Sequence, residues 1–447
     1  MQSKVEHSGQ WLIEYGPSTG ERLYVALSGA TETEHGWWKN LKPGDTFTTV
    51  PAGFGVADGD VNEAMAELTE YRRKIRRPNE DDEKLNVVFN DYMNCLMGDP
   101  TEEKEKAIID RAAAMGCEYY CLDCGWYDKG FWWDRVGEWK ESPERFPNTL
   151  KAVCDYAKEK GMVMGLWLEI EVMGIACELA NKLPDDWFIC RHGKRHIDNK
   201  RYLLDFRNPE VRKYCMDVVD RLIEDYGVGY FKVDYNVTMG YGSDLYADSC
   251  ADAIRDHYLY LYEWYKEIFC KHPDLVIENC GSGGQRMDYG MLKLLSLQST
   301  SDQTDYVYNS YIASNVASAV TPEQAGMWVY PYKDEREHVI YNMVNGLLLR
   351  PYMSGMVWDM GEESLERISL YKEIRDDVKK GVPVFPLGFT DTRDDVLAYA
   401  IKTESKTYLA VFTPKTDKAE IPLAAAGITG TSAKVIYPAT GACTYKV

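Results

Sequence analysis

The feature that most narrows the fold is an alternation: between residues 87 and 300, short apolar runs take turns with helix-length segments. Run after run ends in polar or aromatic residues. Val87-Val88-Phe89 leads to Asn90-Asp91-Tyr92, Tyr119-Tyr120-Cys121-Leu122 to Asp123-Cys124-Gly125-Trp126, and Met162 to Leu168 to Glu169. Tyr230 to Val233 leads to Asp234, Leu275-Val276-Ile277 to Glu278-Asn279-Cys280, and Leu294 to Leu297 to Gln298 and on to Ser301-Asp302. Such runs suit strands covered on both faces, with helices supplying the crossovers that parallel pairing needs. Thr101 before Glu102 and Glu103 opens one helix, which stops at Gly116; others span Leu150 to Lys160, Val211 to Tyr226 and about Ala251 to Cys270. About eight units over roughly 295 residues predict an α/β fold, a (β/α)8 TIM barrel whose strand ends meet at one mouth. The last two strands carry the weakest signal.

Both flanks read differently. Residues 1–85 hold short sheet-like runs (Trp11-Leu12-Ile13, Leu23 to Leu27, Thr46 to Val50), then a helix over Val61 to Lys74 and a charged, proline-bearing linker over Arg72 to Glu83. Residues 86–380 are the expected barrel. Residues 381–447 open with Pro383 and Pro386 and continue in alternating runs such as Val396 to Ala400 and Thr407 to Phe412, which predicts an antiparallel C-terminal sheet. A turn is expected at Thr440-Gly441.

Charge narrows the partners. With 51 Lys and Arg against 71 Asp and Glu, the formal charge of −20 repels nucleic acid and anionic membranes, and a neutral or cationic small molecule fits better. The first residues lack a signal peptide's basic start and apolar core, and no run approaches the ~20 apolar residues of a membrane span, so a cytoplasmic location is expected. Twelve Cys suit a reducing compartment. Cys121 and Cys124 form a C-x-x-C without a second pair at zinc-ribbon spacing, and His192 and His196 flank a glycine in a loop-like stretch; neither reads as a metal site.

The chemistry centres on Tyr230-Phe231-Lys232-Val233-Asp234-Tyr235-Asn236. Lys232 and Asp234 are two apart and share a strand face, so the ammonium is expected to hold the carboxyl ionised. No cation adjoins Asp302 in the sequence, and partial burial with the charge of Asp234 would keep its proton on. One ionised and one protonated carboxyl, in a pocket lined by Trp126, Trp167 and Tyr92, suit glycosidic bond cleavage, with Asp234 as nucleophile and Asp302 as acid, then base. Other readings stay open: an ion pair at Lys232 and Asp234, helix caps at Asp302 and Asp305, core packing for both tryptophans. Glu169 and Glu171 are expected in salt bridges. The run from Cys280 to Gly284 lacks the Lys-Ser/Thr of a phosphate loop, so its glycines are expected to let backbone approach a ligand hydroxyl.

Four ordered motifs carry a resemblance: the Tyr230 to Asn236 stretch, Cys280-Gly-Ser-Gly-Gly-Gln-Arg286-Met-Asp288, Ser301-Asp302-Gln-Thr-Asp305, and Gly165-Leu-Trp167-Leu-Glu169-Ile-Glu171. Together they resemble glycoside hydrolase family 36, the α-galactosidase family, from about residue 35 onward. The resemblance implies a retaining α-glycosidase with Asp234 as nucleophile and Asp302 as acid/base. It assigns Asp123 to the axial O4 and the O6 of galactose, Lys232 to O3 and O4, Cys280 and Gly283 to the region near O2, and Trp167 and Tyr92 to the walls. No metal or organic cofactor is implied. Residues 1–85 would then be a shortened N-terminal β-sandwich with its linker helix.

The chain departs from that family at Cys124, where a second Asp is usual, and at Asn199, where an Arg is often found; both positions bear on sugar choice. Terminal α-linked galactose is the expected substrate. An α-N-acetylgalactosaminide, a β-L-arabinopyranoside, or raffinose-type transglycosylation are alternatives with the same chemistry, and a non-catalytic carbohydrate-binding protein is the alternative of another class. An oligosaccharide or glycoside is thus the expected partner, and assembly into a homo-oligomer is compatible with the sequence.

Overall fold

A computed structural model describes residues 2–127, 130–330, 336–357, 362–430 and 432–439. Eight strands close into a parallel barrel: β1 (Val88–Asn90), β2 (Tyr119–Leu122), β3 (Val163–Leu168), β4 (Tyr230–Val233), β5 (Val276–Asn279), β6 (Leu297–Ser299), β7 (Ala325–Val329) and β8 (Arg350–Met353). Closure runs through Tyr352 beside Val88 and Met353 beside Phe89. Lys232 on β4 stands level with Trp167 on β3 and Glu278 on β5. Gly165 on β3 makes room inside: a Cβ there would lie 2.4 Å from the Tyr230 ring.

Helices Glu102–Ala114, Leu150–Glu159, Pro209–Tyr226 and Cys250–Lys271 return the chain after β1 to β4. Their starts follow local chemistry. Thr101 and Ser249 accept from Lys104 and Asp252 backbone N–H groups, and Asn208 caps a helix whose first residue is Pro209, two residues earlier than the apolar pattern begins. Turns, with no α-helix among the described residues, join β5 to β6. Tyr306–Ala313, Arg336–Asn345 and Glu362–Lys380 follow β6, β7 and β8.

Three local expectations are corrected. Leu294, Leu295 and Ser296 precede β6, which is Leu297-Gln298-Ser299; Gln298 lies inside because the Asn279 amide donates to its Oε1 at 2.6 Å. Thr46 to Val50 forms no strand, and Ala52–Gly55 instead pairs with Gln2–Val5. The stretch from Arg72 to Glu83 is no free linker. Arg73 and Arg76 reach buried Glu323, and Asp81 takes a two-pronged pair from Arg350 at 2.8 and 2.6 Å.

A hairpin of Trp11–Ser18 and Arg22–Gly29 lies toward the N-terminus, and Val382–Val384, Leu397–Lys402 and Thr407–Phe412 form an antiparallel three-stranded sheet toward the C-terminus. The Thr440-Gly441 turn lies outside the described residues. Among those described, no helix is long and apolar enough to cross a membrane.

Candidate active site

Alternation along β4 turns Lys232 into the barrel, and the chain continues into Asp234 just past the strand. The Asp234 carboxylate is nearly enclosed, 8% exposed. Its Oδ1 accepts the backbone N–H groups of Tyr235 (2.8 Å) and Ser282 (3.1 Å); its Oδ2 accepts the Asn236 amide (2.9 Å) and the Trp167 indole N–H (3.2 Å). Burial opposes its charge, but Lys232, the Asn236 amide, the Cys280 thiol and the Tyr235 N–H outweigh that, and the carboxyl lies below its ordinary range.

Lys232 reaches elsewhere than expected. Its ammonium forms an ion pair with Asp123 Oδ2 at 2.9 Å, so it acts on Asp234 only through space. Asp123 Oδ2 also accepts the Asn90 amide at 2.6 Å, Asp123 Oδ1 the Cys124 N–H at 2.9 Å, and Asp91 Oδ1 takes the Asp123 backbone N–H at 2.7 Å. Cys124 is buried beside this carboxylate, and Cys121 and Cys124 are both free thiols.

Asp302 sits on the segment after β6, and two devices fix it. Gly283, at φ +74°, is crossed by this segment so closely that a Cβ would lie 2.5 Å from the Ser301 carbonyl carbon. The glycine therefore admits the chain's own backbone. From the other side, Trp328 Nε1–H donates to Ser301 O at 2.6 Å and Tyr330 O–H to Gln303 O at 2.7 Å. Asp305, and not Asp302, caps the next helix, accepting from Val307 and Tyr308. Asp302 keeps an exposed edge toward the mouth, while the protein crowding its other side withholds bulk water. That burial, with the charges of Asp234 and Asp123 and against the pull of Lys232, raises its carboxyl to about 6.

Trp167 lies against this centre through its bond to Asp234, with the Trp132 ring edge-on at 5.4 Å and Tyr92 edge-on to Trp132 at 6.3 Å. Trp126 does not line the pocket. It has no exposed surface, packs against Tyr127 and Trp139, and donates its N–H to Trp167 O at 3.0 Å, so it supports Trp167 from behind. Cys280 lies within reach of Asp234 and is 1% exposed. Asn199 opens a two-residue hairpin turn with Lys200, both at positive φ, and its amide donates to Asn236 O at 3.0 Å, behind Asp234. Glu169 pairs with Arg201 at 2.6 Å and Glu171 with Arg286 at 2.8 Å.

Sequence reasoning passed over Asn236, Trp132, Trp328, Tyr330 and Asn90. Asn236 was readable, since it shares the β4 motif with Asp234. A surface groove of about 840 Å³, lined by residues including Trp38, Arg191, Tyr241 and Asp248, shares no residue with this site. Among the described residues no group of three or more His, Cys, Asp or Glu side chains could hold a metal ion. What the mouth offers is an ionised carboxylate fixed by neutral donors, a second carboxyl that holds its proton up to about pH 6, and an ammonium–carboxylate pair beside aromatic rings.

A family model described as Melibiase matches residues 46–375. The α-galactosidase Mel36A of Lactobacillus acidophilus is 28% identical over 277 residues, covering 60% of this chain and 37% of that protein. AgaA of Geobacillus stearothermophilus is 28% identical over 271 residues, with the same 60% and 37% coverage. The crystal structure of the GH36 α-galactosidase AgaA superposes with a TM-score of 0.82 at 22% identity, over 92% of this chain and 58% of that one, and so shares the fold. The chain spans about two fifths of the length of these curated relatives. With a family model matched across most of the barrel, the chain belongs to the Melibiase family, glycoside hydrolase family 36.

Proposed function

We propose that the protein is a retaining α-glycoside hydrolase that removes terminal α-linked galactose by double displacement. The observation that carries this reading is the pairing of Asp234, held ionised by the nearby charge of Lys232 and by four neutral donors, with Asp302, whose carboxyl is raised to about 6 at the same mouth. Names of relatives add support: AgaA has been crystallised, as variants, with stachyose and with raffinose.

In the first step Asp234 attacks the anomeric carbon as Asp302 gives its proton to the departing glycosidic oxygen. The C–O bond breaks, and the sugar is left joined to Asp234. Asp302, now ionised, takes a proton from water, whose oxygen displaces Asp234, so two inversions restore the starting configuration. Four donors on Asp234 hold it in line, and they must yield charge density as the covalent bond forms; bonds to neutral groups yield it more readily than a direct ion pair would. Asp123, Lys232 and Asn90 present charge and donors for sugar hydroxyls, with Trp167 and Tyr92 as apolar walls. Asn199 acts from behind, through Asn236. The protein needs no cofactor for these steps.

A second reading keeps the chemistry and changes the sugar. Cys124, a buried thiol beside Asp123, is a much weaker acceptor than a carboxylate, which favours a substrate with fewer demands near C4 and C6, such as a β-L-arabinopyranoside. The experiment is proton NMR of the first product formed from a panel of nitrophenyl α-galactoside, α-N-acetylgalactosaminide, α-glucoside and β-L-arabinopyranoside. Release of the retained anomer from the galactoside is expected; an inverted anomer overturns the mechanism, and preference for another sugar overturns the substrate.

A further inference from the structure

Below the sugar site, the barrel interior holds a carboxylate that the proposed mechanism leaves unused. Glu278 on β5 has no exposed surface, and it stands level with Lys232 on the neighbouring strand. Its Oε2 accepts two phenolic hydrogens, from Tyr230 on β4 and from Tyr352 on β8, the latter at 2.5 Å. Among the described residues, its Oε1 has no hydrogen-bond partner.

The two phenols differ in what lies beyond them. A tyrosine hydroxyl has one hydrogen to give. Because Tyr352 gives its hydrogen to Glu278, its oxygen is free only to accept, and the Asn90 amide points to it at 3.5 Å. The same Asn90 nitrogen donates to Asp123 Oδ2 at 2.6 Å, while Asn90 Oδ1 accepts the Tyr92 backbone N–H at 2.9 Å. Donor direction is therefore set along the whole line from Glu278 through Tyr352 and Asn90 to Asp123. Were Tyr352 to donate toward Asn90 instead, it would meet an NH2 group, and the amide would have to flip and lose both its other bonds. Tyr230 adjoins the Tyr352 hydroxyl as well as Glu278, so it reaches the site only by way of Tyr352.

We propose that Glu278 is a positioning residue for the sugar site: its carboxylate fixes the direction of the Tyr352 hydroxyl, and through Tyr352 and Asn90 it orients the Asp123 carboxylate that receives sugar hydroxyls. This rests on the function proposed above. Lys232 gains from the same charge, since Glu278 is among the groups that keep its ammonium protonated.

The test compares three variants in KM and kcat, on whichever aryl glycoside the wild-type protein cleaves best. Glu278→Gln keeps the shape and leaves an amide in place of a carboxyl that burial pushes up to about 7; KM is expected to rise about tenfold with kcat changed less than about threefold. Tyr352→Phe is expected to reproduce that KM rise. Tyr230→Phe removes the other hydrogen bond to the same oxygen and is expected to give the smaller change in KM. A KM for Glu278→Gln equal to the wild type, or equal KM shifts for the two tyrosine variants, overturns the proposal. Should Glu278→Gln fail to fold, the tyrosine pair still decides it. Wild-type cleavage of a sugar other than galactose would count against the proposed substrate and leave this comparison intact.

Discussion

Two buried carboxylates, Asp81 at the foot of the barrel and Asp234 at the mouth, are neutralised by different means. At the foot, guanidinium groups bond the carboxylates directly: Asp81 meets Arg350 through two bonds with neither side chain exposed, and Glu323 is held by Arg73 and Arg76. At the mouth, Asp234 has four neutral donors and no directly bonded cation, and the single ammonium of Lys232 belongs to Asp123. A dedicated guanidinium fixes a charge and cannot easily give it up. In the proposed mechanism, neutral dipoles and the through-space charge of Lys232 hold a charge that is later spent on a covalent bond. The contrast separates an ion pair at the barrel's closure from the carboxylate proposed to do chemistry in the same interior.

Breaking each end separately tests that division. Asp234→Ala is expected to lower kcat/KM on the order of 10⁴-fold, with added azide restoring turnover as a β-glycosyl azide, and to move the unfolding midpoint little. Wild-type turnover in that variant would remove the nucleophile. Asp81→Ala should do the reverse. Leaving Arg350 buried without its partner costs roughly 3–5 kcal/mol of stability in a denaturant titration, with kcat per folded molecule unchanged.

The pH profile sharpens the comparison. In the proposed mechanism Asp302 holds its proton and Asp234 has lost its own, so kcat/KM is expected to fall as pH rises through about 6, and to fall again only in acid below the ordinary carboxylate range. Asp302→Asn should erase the alkaline limb, and its persistence would assign that limb to another group. Trp328→Phe keeps a ring but loses the bond to Ser301 O, which loosens the segment bearing Asp302; a loss of about tenfold in kcat with KM nearly constant is expected, matching roughly 1.4 kcal/mol. Cys124→Asp should give the smallest effect, a few-fold shift of selectivity toward α-galactosides in competition assays, and an unchanged ratio would free this position from sugar choice.

Much of this was legible before any coordinates. The barrel followed from apolar runs alternating with capped helices, and the mouth from polar residues where those runs stop. Trp126 misled because a tryptophan beside a strand end reads alike whether its ring faces the pocket or the core; the fold settles that by placing Trp139 and Tyr127 around it. The sixth strand misled because hydrophobicity marks Leu294 to Leu297, while the ladder itself runs through a glutamine satisfied by Asn279. The arginines before residue 84 look solvated in sequence, since their partner Glu323 lies more than two hundred residues away, as Arg350 does from Asp81. Trp328 and Tyr330 were invisible as site residues for a related reason: they act by bonding backbone carbonyls of residues 301 and 303, and backbone leaves no trace in composition.

The crossing at Gly283 has one more implication. Next to Ser282, whose N–H steadies Asp234, the main chain of Ser301 and Asp302 rides directly on that of Gly283. The gauge between the proposed attacking group and the proposed proton donor is thus set by the thickness of a polypeptide.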